Sequence, residues 1–318
     1  MTLAGMAAWL GVAQPVLVTV LAIYGLLIIA SLITWWLNVR SGGKLAELTA
    51  RVKSWWVMIT VFSLAVFISR ELSAIFLGLL SYLALKEYFS MIPTRRVDRS
   101  ILFWAYLAVP IQFWWAYTDW YGMFIVFIPV WMFLFTPVAM VLLGETKGFL
   151  RAVGTMSWGQ MMMVFALSHT AYLLFSGDNV ETPAGGAGLL LFLVFCTQFN
   201  DVMQYVWGKL TGKHKIVPTV SPNKTWQGFI GGLLSTMLLS FLIAPYLTPM
   251  SGLVAALAGG MIALSGFLGD VTLSALKRDL GAKDTGALIP GHGGILDRVD
   301  SLTIAAPVFV HFMRYFYY

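Results

Sequence analysis

Ten apolar runs divide this chain of 318 residues, and they leave it few folds to choose from. They lie near 14–37, 55–69, 72–89, 101–118, 121–143, 153–176, 188–207, 226–247, 252–276 and 301–317. A helix needs about 20 apolar residues to cross the hydrocarbon core of a bilayer, and most of these runs approach or exceed that length. The runs 55–69 and 101–118 fall short of it and read as tilted partners or partly re-entrant segments. Only 11% of the residues are charged, where soluble domains carry about 25%. The alternating strands of about ten residues that mark a membrane β-barrel are not visible. The expected fold is all-α: a polytopic integral membrane helical bundle of about nine to ten transmembrane helices.

The loops between the runs set the expected topology. The first holds Arg40, Lys44, Arg51 and Lys53, and the third holds Lys86, Arg95, Arg96 and Arg99. The fifth holds Lys147 and Arg151, the seventh Lys209, Lys213, Lys215 and Lys224, and the ninth Lys277, Arg278, Lys283 and Arg298. Of the 20 basic residues only Arg70 and Arg314 fall elsewhere. By the positive-inside rule the odd-numbered loops face the cytoplasm and both termini lie outside. The first twelve residues contain no Lys or Arg, so they lack the basic start of a signal peptide. The net charge of +6 does not indicate nucleic-acid binding, because the basic residues are spread through short loops. The single cysteine, Cys196, sits in an apolar run, which excludes a disulfide framework and a cysteine metal site.

Tryptophan and tyrosine gather at the ends of the runs, at Trp35-Trp36, Trp55-Trp56, Trp114-Trp115, Trp120-Tyr121 and Tyr315 to Tyr318. That is the pattern of an interfacial belt, with an aromatic ligand cage as the alternative. Met161 to Met163 read as packing or lipid contact. His169 and His311 read as structural, since neither has a second metal-type ligand at helical spacing. Residues 1–150 carry little chemistry and read as scaffold helices or an oligomer surface, such as that of a homodimer. Residues 151–318 carry the chemistry, in one continuous membrane domain.

The stretch from Gly269 to Ser301, GDVTLSALKRDLGAKDTGALIPGHGGILDRVDS, concentrates that chemistry. On a helix, Asp270, Ser274 and Lys277 share a face at i, i+4 and i+7, and Asp297, Asp300 and Ser301 do so at i, i+3 and i+4. The glycines around His292 let backbone approach a ligand closely. Carboxylates suit a hard divalent cation such as magnesium, and lysine and arginine suit phosphate. Together they point to a magnesium–nucleotide site; the alternative is a solvated loop with incidental charge. Asp270 ends an apolar run, where an idle charge is costly.

A second constellation lies in the seventh loop. Asp201 sits within or at the end of an apolar helix and is expected to face protein or water. Ser221-Pro222 has the pattern of an N-cap with proline at the first helical position. Lys224 and Thr225 would then lie in the first turn, where free amides attract anions. Gly228, Gly231 and Gly232 would let this helix pack closely on a neighbour. The alternative for Ser221 and Lys224 is an ordinary helix start. For Lys209, Lys213, His214 and Lys215 it is ordinary positive-inside charge.

These residues resemble a known family. Ser274-x-x-Lys277-Arg278, then Lys283-Asp284, then Pro290-Gly291-His292-Gly293-Gly294-x-x-Asp297-Arg298-x-Asp300 is similar to the signature of phosphatidate cytidylyltransferases, the CDP-diacylglycerol synthases. Ser221-Pro222-x-Lys224-Thr225 with Gly228 resembles the family's second motif. The likeness covers roughly the last 120 residues. After Asp201 this chain has Val202-Met203-Gln204-Tyr205 where family members often carry a small residue and alanine before the tyrosine. The resemblance implies that CTP and phosphatidate give CDP-diacylglycerol and pyrophosphate, in phospholipid biosynthesis. It implies magnesium, with room for a second cation, held by Asp270 and Asp297 and supported by Asp300. Lys224, Lys277, Arg278 and Arg298 would be phosphate ligands, with His292 a donor to phosphate or a pin for its glycine loop. Ser221, Thr225, Lys283, Asp284 and Asp201 complete the expected substrate site. The host membrane would be a bacterial inner membrane, with the site facing the cytoplasm and membrane lipids around it. The rivals are a CTP-dependent lipid kinase, a cytidylyltransferase for another lipid phosphate and, from another class, an ion-coupled transporter using Asp201 and Asp270.

Overall fold

A computed structural model describes residues 2–42, 45–177, 180–286, 288–289 and 293–318. The helices are α1 (Leu3–Leu10), α2 (Gln14–Arg40), α3 (Ala46–Ile68), α4 (Arg70–Met91), α5 (Arg99–Tyr117), α6 (Tyr121–Val126) and α7 (Phe133–Leu142). They continue with α8 (Phe149–Gly159), α9 (Leu167–Ser176), α10 (Gly185–Thr211), α11 (Trp226–Leu247), α12 (Gly252–Asp279), α13 (Leu296–Val299) and α14 (Leu302–Tyr317). Phe127–Met132 and Gln160–Ala166 are π-helical and join α6 to α7 and α8 to α9 without a break. Each of the apolar runs becomes a helix or such a joined pair.

Six helices, among the described residues, are long and apolar enough to cross a bilayer. The chain is an all-α membrane bundle. The short run at 55–69 is a correction: its helix, α3, starts at Ala46 and has 23 residues. No glycine or proline interrupts Glu47 to Trp55, so Arg51 and Lys53, expected in a loop, extend the helix instead.

Burial separates centre from periphery. Within the most apolar windows, 56% of α10 and 50% of α12 are buried, against 22% of α2. The outer helices turn Trp35, Trp36, Trp114 and Trp120 outward, as an interfacial belt requires. Lipid tails are as apolar as leucine, so helices in a bilayer associate through close packing and polar contacts. Both occur here. Ser81 Oγ donates to Met163 O at 2.6 Å, Tyr88 Oη to Thr155 O at 2.7 Å, and Gln112 Nε2 to Phe124 O at 3.0 Å.

Helices α10 and α11 approach each other closely. A Cβ on Gly228 would lie 2.7 Å from Gln204 O and 3.0 Å from Gly208 Cα; one on Gly231 would overlap Trp207, and one on Gly232 would overlap Gln204. These are the glycines expected to permit close packing, and α10 is their neighbour. His169 is fully buried, its Nδ1 2.8 Å from Phe165 O, and its ring packs against His311 with centroids 5.3 Å apart. Sequence spacing along one helix could not reveal that pairing across helices.

Candidate active site

The C-terminal half of α10, the end of α12, the loop after it and the α13–α14 corner meet around one cleft of about 250 Å³. Asp201, Asp270, Lys277, Asp284, Asp297, Arg298 and Asp300 line it. The fold therefore gathers residues separated by up to a hundred positions.

Helix α12 runs to Asp279, past the apolar limit at 276, and so presents Asp270, Ser274 and Lys277 on one face. Ser274 Oγ donates to Asp270 Oδ1 at 3.2 Å. Lys224 Nζ pairs with Asp270 Oδ2 at 2.6 Å and lies 4.9 Å from the centre of the Phe267 ring. Lys277 Nζ pairs with Asp297 Oδ1 at 2.8 Å. The other oxygen of Asp297, Oδ2, accepts from Thr285 N–H at 2.8 Å, Gly294 N–H at 3.0 Å and the Thr285 hydroxyl at 3.0 Å. Burial pushes the Asp297 carboxyl up, but Lys277 and the Gly294 and Thr285 amides outweigh it and hold the carboxyl below its ordinary value.

Asp201 and Asp300 are held more sparsely, Asp300 Oδ1 accepting from Ser301 N–H at 2.8 Å. Ser301 Oγ donates to Asp201 Oδ2 at 3.0 Å, while Asp201 Oδ1 is buried with no hydrogen-bond partner among the described residues. Asp300 is pushed well above its ordinary value by burial, then by the charges of Asp270 and Asp201. Arg298 Nε is also buried without a hydrogen-bond partner among the described residues.

The expected helix start at Ser221 is a correction. Ser221 to Lys224 form a turn closed by Lys224 N–H to Ser221 O at 3.2 Å, and α11 begins at Trp226. Thr225 is its N-cap, with Oγ1 accepting from Gly228 N–H at 3.2 Å. The cause is pairing with the preceding segment: Ile216 N–H donates to Lys224 O and Trp226 N–H to His214 O. That pairing holds 224–226 extended, so Pro222 serves the turn rather than the helix. Lys224 consequently reaches Asp270 instead of lying beside the amides of a first helical turn.

Other expected residues lie apart. Arg278 is exposed, and its Nε donates to Val220 O at 3.2 Å, tying α12 to the turn. Lys283 is exposed and does not line the cleft; neither do Lys209, Lys213, His214 and Lys215. His292 lies outside the described residues. The expected metal set, Asp270, Asp297 and Asp300, shares the cleft, and both oxygens of Asp297 and of Asp270 are engaged, those of Asp270 by Ser274 and Lys224. No group of three or more His, Cys, Asp or Glu among the described residues is arranged as a formed metal site.

Sequence reasoning passed over Glu87, Thr285 and Gln204. Glu87, near the end of α4, reaches the α13 region, and Gln204 Oε1 lies 3.4 Å from Lys224 Nζ. The available signal for Glu87 was an acidic residue near the end of an apolar run, beside Lys86.

The structure defines a polytopic helical membrane bundle with two lysine–carboxylate pairs gathered at one cleft. The chain belongs to the cytidylyltransferase family, whose model matches residues 49–316. It is thus a nucleotidyltransferase and an integral membrane protein. The chain is 45% identical to YnbB of Escherichia coli strain K12, a protein described as uncharacterised, over 92% of this chain and 96% of that one. It is 40% identical to the phosphatidate cytidylyltransferase of Mycobacterium bovis over 41% of this chain and 42% of that protein. To the Haemophilus influenzae enzyme of the same name it is 41% identical, over 41% of this chain and 47% of that one. The matches thus span less than half the length of these two phosphatidate enzymes.

Proposed function

We propose that this protein transfers the cytidylyl group of CTP to phosphatidate, forming CDP-diacylglycerol and pyrophosphate for phospholipid biosynthesis. The observation that carries the reading is the pair of ion pairs, Lys224–Asp270 and Lys277–Asp297, whose members Asp270, Lys277 and Asp297 line one cleft. Both lysines can exchange a carboxylate for a phosphate oxygen. An oxygen of the lipid phosphate attacks the α-phosphorus of CTP; the bond to the β-phosphate oxygen breaks and pyrophosphate leaves. A phosphate monoester is largely ionised at pH 7, its second pKa being about 6, so no strong base is required. The work is positioning and charge neutralisation. Lys224 and Lys277 hold the triphosphate, and Arg298 Nε, without a hydrogen-bond partner among the described residues, is available to a further phosphate oxygen.

Magnesium, when bound, supplies charge neutralisation across the reacting phosphates. The residues fit it in chemistry: Asp270, Asp300 and Asp201 are hard oxygen donors whose charges oppose one another, and Asp201 Oδ1 has no other hydrogen-bond partner among the described residues. In this reading Asp201 joins Asp270 and Asp300 as a ligand, with Lys224 passing from Asp270 to phosphate, while Asp297 anchors Lys277 and the loop. The site faces the cytoplasm of a bacterial inner membrane, because the loops on its side carry most of the basic residues.

A second reading, a cytidylyltransferase for another lipid phosphate, is favoured by one observation. The likeness to YnbB spans 96% of that protein, whereas the likeness to the phosphatidate enzymes above spans 42% and 47% of theirs. Pyrophosphate release by purified protein, with CTP, magnesium and a panel of lipid phosphates, separates the two. Release that depends on phosphatidate supports the first reading; release only with another acceptor supports the second, and none with any lipid overturns both.

Lys277→Ala is expected to raise the KM for CTP about tenfold, since a charge-assisted contact to phosphate is lost. Initial rates across a CTP series check it; an unchanged KM contradicts a role in triphosphate binding.

A further inference from the structure

Glu87 stands on α4, in the half of the chain expected to be scaffold, yet its carboxylate is directed at the site. Oε1 accepts from Ile295 N–H at 2.9 Å, and Oε2 accepts from Leu296 N–H at 2.9 Å. The Thr285 hydroxyl lies 3.0 Å from Glu87 Oε2 and 3.0 Å from Asp297 Oδ2. One hydroxyl proton donates to one acceptor at a time, so Thr285 joins the two carboxylates as a shared donor.

The contacts at Ile295 and Leu296 have a definite cause. They open α13, and the first amides of a helix have no partner within it. Glu87 supplies that partner from more than two hundred residues away. Gly294 makes the approach possible, because a Cβ there would overlap Glu87 Oε2 and the Thr285 hydroxyl. Gly286 is close as well, with a Cβ position 3.2 Å from Glu87 Oε1. The segment so held carries Asp297, and Asp297 in turn holds Lys277.

We propose that Glu87 is a positioning residue for nucleotidyl transfer: by binding Thr285, Ile295 and Leu296 it sets the place of Asp297 and, through it, of the Lys277 ammonium in the cleft. The proposal deepens the reading above and rests on it for the word transfer; the contacts themselves hold for any substrate. Glu87 touches no reacting group. A glutamine at this position cannot serve both amides, since its amide nitrogen would face an N–H donor, while aspartate keeps the charge on a shorter stem.

The test compares purified full-length wild type, Glu87→Gln, Glu87→Asp and the neighbouring exposed Lys86→Ala, with two readouts. The first is hydrogen exchange of peptides covering 285–299 without nucleotide. Glu87→Gln is expected to speed exchange there about tenfold or more, with α2 and α5 unchanged, and Glu87→Asp to restore part of the protection. The second is turnover with CTP and phosphatidate: Glu87→Gln is expected to lower kcat/KM for CTP about thirtyfold, with Glu87→Asp intermediate and Lys86→Ala equal to wild type. A double variant with Thr285→Val is expected to lose less than the product of the two single losses, because both act through Asp297. Unchanged exchange in 285–299 overturns the proposal, as does faster exchange with unchanged turnover, or a general rise in exchange along the chain. A wild type silent with CTP and phosphatidate counts against the proposed reaction, and the exchange result then decides the placement of Asp297 by Glu87.

Discussion

Asp270→Asn is expected to cut turnover by more than about two orders of magnitude while the protein still extracts and elutes as the wild type does. The substitution keeps the size of the side chain and removes its charge. Asp270 is the partner of Lys224 at 2.6 Å, the acceptor of Ser274 and one of the charges pressing on Asp300. With asparagine there, Lys224 loses its anionic guide and the proposed cation loses a ligand, so both halves of the charge arrangement fail together. The fold has other supports: the α10–α11 and α4–α9 contacts do not involve this carboxylate. Steady-state rates, read beside size-exclusion elution, check the expectation. Turnover within tenfold of wild type in a correctly eluting protein contradicts a catalytic place for Asp270.

Gly228→Val is expected to lower stability by about 3 kcal/mol and to abolish turnover. The first new carbon would sit 2.7 Å from Gln204 O and 3.0 Å from Gly208 Cα, and these are backbone atoms that cannot rotate away. Helices α10 and α11 would have to separate. Asp201 rides on α10 and Lys224 lies just before α11, so the same displacement widens the cleft. Gly154 in α8 is the control, because a Cβ there meets nothing within 4 Å. Gly154→Ala is expected to be neutral or to stabilise by about 0.5 kcal/mol, as alanine does for glycine inside a helix. Thermal unfolding in detergent measures both. Equal midpoints for Gly228→Val and wild type would mean that α10 and α11 do not pack as described.

Much of this arrangement could be read from residue order. The apolar runs became helices because length and hydropathy decide that question in a bilayer, where every backbone group must be satisfied internally. Asp270, Ser274 and Lys277 share a face because helical spacing is local. Gly228, Gly231 and Gly232 were legible as a close-packing surface, though only the structure identifies Gln204, Trp207 and Gly208 as what they pack on. The misreadings arise where a distant segment competes for the backbone. Ser221-Pro222 has every local mark of a helix start, but pairing of 214–216 with 224–226 moves that start to Trp226. Glu87 was invisible for the same reason, since an acidic residue near loop lysines looks like solvated charge until its partners at Thr285, Ile295 and Leu296 are known. Asp297 shows what only the fold supplies: its motif marks it for metal, and the folded chain adds partners for both its oxygens in Lys277, Thr285 and Gly294.

The central claim is that this cleft moves a nucleotidyl group onto a lipid, and the fate of each CTP phosphorus tests it most directly. Purified protein is incubated with phosphatidate, magnesium and CTP labelled at either the α- or the γ-phosphorus, and the lipid and aqueous phases are counted. The account predicts α-label in the lipid and γ-label in released pyrophosphate. Recovery of γ-label in the lipid would show phosphate transfer instead and would contradict it.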